Sequence, residues 1–108
     1  MKKSEITFTV QLDENNIPEA IDWVASDSGE SKHHCKAMML SMWDKNEENT
    51  LRIDLWTKEM KVEEMKLFFH QTLVSMINTL EKATGNDNTI EDMRQYTKLL
   101  AKKLELIR

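Results

Sequence analysis

Between Thr50 and Gly85 the apolar pattern of the chain changes period. Leu51, Ile53 and Leu55 alternate with Arg52, Asp54 and Trp56, the pattern of a strand with one buried face. From Val62 onward the apolar residues recur at helical spacing: Val62, Met65, Phe69, Leu73, Met76, Leu80 and Ala83, with Ile77 part of the same main stripe. A strand followed by a long helix is therefore predicted at the centre of the chain, with Gly85 suited to a left-handed cap at the helix end. The remaining segments must pack around that unit.

The segments before it read as three more strands. Ile6, Phe8, Val10 and Leu12 share one face of residues 5–12, and Thr7, Thr9 and Gln11 share the other. DENNIP (residues 13–18) carries turn chemistry, and residues 20–25 form the second strand. A six-residue turn sets Val10 opposite Ile21 and Phe8 opposite Trp23, and places all four on the buried side. SDSGESKHH (residues 26–34) reads as a polar loop. In residues 35–44 the Met and Ala content favours helix, whereas register favours strand. A loop at residues 45–48 pairs Trp43 with Thr50, Met42 with Leu51, Leu40 with Ile53 and Met38 with Leu55, so both inward faces agree without a slip. That agreement decides for strand.

After the first helix, NTIE (residues 88–91) has the form of a capping box opening a second. The stripe of that helix is Ile90, Met93, Tyr96, Leu100, Leu104 and Ile107. The expectation is an α+β domain spanning residues 1–108: a four-stranded antiparallel sheet (about residues 4–58) followed by two helices (about 61–84 and 89–107) packed on one face, in the order β-β-β-β-α-α.

Composition narrows the function classes. The chain has 108 residues, 31% of them charged, with a formal net charge of −4. Lys and Arg are spread along the chain with no run longer than two, which disfavours nucleic-acid binding. MKKSEITFTV lacks the apolar core of a signal peptide, and no apolar run is long enough to cross a bilayer. Cys35 is the only cysteine, so no intrachain disulfide forms. A cytoplasmic protein without membrane insertion is expected.

Catalytic and metal readings are weak. His33, His34 and Cys35 are adjacent, but successive side chains of an extended segment point to opposite faces, and no second ligand cluster exists. His70 has no nucleophile or carboxylate at dyad spacing, so a partly buried, hydrogen-bonded histidine is expected there. Glu63 and Glu64 suit the positive end of a helix. No catalytic residue, cofactor or metal is expected.

Surface readings are stronger. Trp43, Trp56 and Met39 fall on the outer face of the predicted hairpin, either as a contact surface or as rings lying under Arg and Lys stems. Leu67 and Val74 lie off the main stripe of the first helix, seven residues apart. Leu99 and Leu106 repeat that pattern on the second. Helix faces used twice, once for the sheet and once for another subunit or partner, imply a homo-oligomer or a protein-binding module.

The pieces TLRIDLWTKEM, VEEMKLFFHQTLVSM, ASDSG and LSMWD give the chain a resemblance to the gliding-motility-associated GldC family of Bacteroidetes, over nearly its whole length. The family pattern has proline where this chain has Lys61, in the expected first helical turn. Phe68, Phe69, His70 and Gln71 match its motif. The resemblance implies a non-enzymatic accessory of gliding motility and its associated secretion machinery, without a lipid anchor or known catalytic residues, acting on protein partners of that machinery. The element order alone is also similar to that of SecB, an oligomeric export chaperone that holds unfolded clients; this is a likeness of architecture only.

Overall fold

The computed structural model describes residues 2–28 and 31–106. The strands are β1 (Ile6–Leu12), β2 (Pro18–Ala25), β3 (His33–Cys35), β4 (Ala37–Trp43) and β5 (Thr50–Trp56), with a short 3-10 turn at Ser26–Ser28. Two helices follow, α1 (Val62–Thr84) and α2 (Asn88–Lys103). The chain is thus α+β, with strands first and helices last. Its contacts divide it into two compact units, Met1–Met60 and Lys61–Arg108.

The strands do not form one four-stranded sheet. β1-β2-β3 make one antiparallel sheet and β4-β5 a second. β3 takes His33 and His34 from the segment expected as loop and Cys35 from the start of the expected third strand; Cys35 pairs with Ile21, His34 with Asp22 and His33 with Trp23. One extended run is therefore shared between two sheets and breaks at Lys36, whose carbonyl accepts the Thr57 N–H at 2.7 Å. Gly29 and Glu30 of the expected loop lie outside the described residues.

The strand registers are as alternation predicts: Phe8 opposite Trp23, Val10 opposite Ile21, Met42 opposite Leu51 and Leu40 opposite Ile53. Both hairpin turns are built around an aspartate. Asp13 Oδ1 accepts the N–H groups of Asn15 and Ile17, and Asp44 Oδ2 those of Asn46 and Glu47. Each turn then needs one left-handed residue, Asn16 (φ 62°) in the first and Glu48 (φ 51°) in the second.

The face expected to be buried is covered only at its centre. Ile21 is 1% exposed in the middle strand β2, whereas Ile6, Phe8 and Leu12 on β1 are exposed. β1 has a neighbour on one side only, so its apolar side chains lack half the contacts that enclose Ile21. The same holds for the two-stranded β4-β5 hairpin, where Met42, Leu51 and Ile53 are exposed.

In the helical unit, the Lys61 N–H donates to Glu64 Oε1 at 3.0 Å and opens α1. Gly85 closes it with φ 94° and ψ 167°, its N–H on the Glu81 carbonyl at 2.8 Å. α2 is capped by Asp87, one residue before the expected capping box: its Oδ1 accepts the N–H groups of Thr89 and Ile90. α2 ends at Lys103, earlier than expected. Glu105 is left-handed (φ 63°), and the Leu106 N–H returns to the Ala101 carbonyl in a Schellman turn. Ile107 lies outside the described residues.

The helices meet along one flank of the expected stripes, to which Ile77 on α1 and Ile90 on α2 both belong. On α1, Ile77 is buried, His70 binds the Thr97 carbonyl, and Glu81 and Asn78 bind Arg94. On α2, Ile90, Thr97 and Ala101 are buried. Their spacing, with Arg94 between them, is the i, i+4, i+7 row that packs one helix on another. Val62, Phe69, Met76 and Leu80 of the expected stripe remain exposed, as does Tyr96 on α2.

Candidate protein-contact surfaces

The two faces of the β4-β5 hairpin differ in chemistry. One carries Met38, Leu40, Met42, Leu51, Ile53 and Leu55, all apolar. The other carries Ala37, Met39, Ser41 and Trp43 beside Thr50, Arg52, Asp54 and Trp56. Trp43 is 69% and Trp56 57% exposed, and Met39 is half-buried opposite Asp54.

The two indoles share a face without forming one patch. Trp56 pairs with Ala37 at one end of the hairpin and Trp43 with Thr50 at the other, a strand separation of about 20 Å. Between them Arg52 forks onto Asp54 at 2.7 and 3.3 Å and reaches Ser41 across the ladder. The guanidinium is thus held by its own polar neighbours, and both indoles stand in solvent.

The candidate helix residues divide differently. Leu67 and Val74 lie on the flank of α1 that also carries His70, whose ring bonds α2; Leu67 is exposed and Val74 half-buried. Leu99 is exposed on α2. Leu106 is half-buried and has left the helix through the Schellman turn, so Leu99 and Leu106 do not form one helical ridge.

Sequence reasoning passed over the exposed apolar residues Met42, Leu51 and Ile53 of β4-β5 and Phe69 and Met76 of α1. All sit on faces that periodicity assigns to a core, and periodicity reports the chemistry of a face, not what covers it.

The titratable groups of the sheet unit serve its construction. Lys58 forms an ion pair with Asp13, and that contact, aided by the Ile17 N–H, lowers the Asp13 carboxyl to a pKa of about 2. His34 Nδ1 meets Asp22, while His33 stacks on Trp23 with ring centroids 4.4 Å apart. Cys35 points to the Ile21 carbonyl at 3.5 Å, and burial, with the Asp22 charge, raises its thiol pKa. Strand alternation puts His34 on the face opposite His33 and Cys35. Among the described residues no three His, Cys, Asp or Glu side chains gather as a metal site, and no helix is long and apolar enough to cross a membrane.

The family model for gliding motility-associated protein GldC-like matches residues 18–106. The chain belongs to the GldC-like family. The family ties it to gliding motility, and the match takes in β2 to α2 of this GldC-like chain, including the hairpin with Trp43 and Trp56 and the helix with His70. No curated protein and no solved structure matches it.

Proposed function

We propose that this GldC-like chain is a non-enzymatic, cytoplasmic accessory of the gliding motility apparatus and its associated secretion machinery, acting by protein contacts. The observation that carries the reading is the β4-β5 hairpin, which presents apolar side chains to solvent on both faces, Leu51 and Ile53 on one and Trp43 and Trp56 on the other. Exposed aromatic and aliphatic anchors of this kind supply most of the energy of protein interfaces. The histidines support it too: His70 bonds the Thr97 carbonyl between the two helices and His34 pairs with Asp22, both structural contacts.

The test replaces the protein in gliding cells by Ile53→Glu and Trp56→Glu variants that keep their circular dichroism and melting temperature. Loss of colony spreading, with loss of in-cell crosslinks to a defined partner, supports the reading; normal spreading in both overturns it.

A second reading is a SecB-like holdase for exported or unfolded proteins. The breadth of the exposed apolar surface and the three methionines of β4, Met38 and Met42 on one face and Met39 on the other, favour it, because flexible thioethers adapt to varied clients. Suppressed aggregation of an unrelated unfolded protein at near-stoichiometric ratio, lost in Trp56→Glu, would decide for it.

A further inference from the structure

β1 is the edge of its sheet, and the orientation of its backbone groups can be read from one bond. The Ser26 N–H donates to the Glu5 carbonyl at 2.9 Å, so Glu5 and Ser26 form a hydrogen-bonded pair of the β1-β2 ladder. Such pairs alternate along an antiparallel ladder. In the register of β1 and β2, Thr7, Thr9 and Gln11 therefore direct their N–H and C=O groups to β2. Ile6, Phe8 and Val10 direct theirs away from it, to the open edge. A register shift between Gln11 and Leu12 ends this row, which is centred on Phe8.

The edge is interrupted by an irregularity only at its end, between Gln11 and Leu12. Ile6–Leu12 contains no charge and no proline in a chain that is 31% charged, and Ile6 (64%) and Phe8 (41%) are exposed. A two-fold axis through an antiparallel pair opposes each residue to its mirror position. A charged edge strand would repel its own copy; ITFTVQL instead sets apolar Ile6 against apolar Val10, with Phe8 against itself.

We propose that β1 is a self-association edge: a second copy of the chain adds its β1 antiparallel about an axis at Phe8, joining two three-stranded sheets into one of six strands. The backbone groups of Ile6, Phe8 and Val10 make the bonds, and the exposed Ile6 and Phe8 side chains of both copies cover one another. This rests on the edge geometry and is independent of the role in gliding.

The test is sedimentation velocity of the full chain over a micromolar concentration series. The expected result is a dimer for the native chain. Phe8→Lys and Phe8→Glu, each folded by circular dichroism, are expected to be monomers when alone and to restore the dimer when mixed, because the axis sets Lys against Glu. Ile6→Pro removes only an outward N–H and is expected to fold as a monomer. A monomeric native chain at high micromolar concentration overturns the proposal. Dimers that persist in both charged variants also overturn it, by placing association on another face.

Discussion

His70 Nε2 donates a hydrogen bond to the Thr97 carbonyl at 2.8 Å, tying the middle of α1 to the middle of α2. The Thr97 side chain meanwhile bonds the Arg94 carbonyl, so this turn of α2 is held from both sides. His70→Ala leaves a part-buried carbonyl without that donor, and a loss of about 1–3 kcal/mol is expected in urea unfolding. A change within 0.5 kcal/mol (roughly the effect of a neutral surface substitution) would show that the bond is dispensable.

Gly85 separates space from conformation. A Cβ added there meets nothing within 4 Å, yet φ 94° with ψ 167° lies in a region essentially reserved for glycine. Gly85→Ala is therefore expected to destabilise by about 1–3 kcal/mol through backbone strain alone. Thermal unfolding followed at 222 nm checks it.

The paired turns make a second conformational prediction. Asn16 and Glu48 are both left-handed, but asparagine tolerates that region better than glutamate. Glu48→Asn is expected to stabilise the protein by about 0.5 kcal/mol, whereas Asn16→Glu destabilises it. Equal melting temperatures for Glu48→Asn and the native chain would contradict this.

Acid should act through Asp13. Its carboxyl, held at about 2 by Lys58 and the Ile17 N–H, has a folded pKa below the ordinary value of 3.8. The native state therefore binds its proton less readily than the unfolded chain does, and its stabilising contribution is full above pH 4 and lost as pH falls toward 2. Asp13→Asn is expected to flatten the stability profile between pH 4 and pH 2. An unchanged slope would mean that other carboxyls dominate.

Much of the fold is legible in the sequence. Alternation and turn length gave Val10–Ile21 and Leu40–Ile53, because a one-residue slip would turn every apolar side chain to the wrong face. β3 is not legible as a separate strand: His33 and His34 are polar and carry no period, and with Cys35 they pair with β2. The hairpin indoles were correctly placed on one face, but the Arg52–Asp54 pair dividing them depends on side-chain geometry that spacing does not show.

The sequence by itself determined where strands and helices lie, how adjacent strands register, and which residues share a face, because periods of 2 and 3.6 are local properties of the backbone. Only tertiary structure decided which faces are covered. On α1 both Phe69–Met76 and His70–Ile77 are seven-residue ridges available for packing, and the second is the one set against α2. The three residues from Gly85 to Asp87 join the capped ends of α1 and α2, and the pairing of the two helices is a long-range contact that local periodicity does not encode.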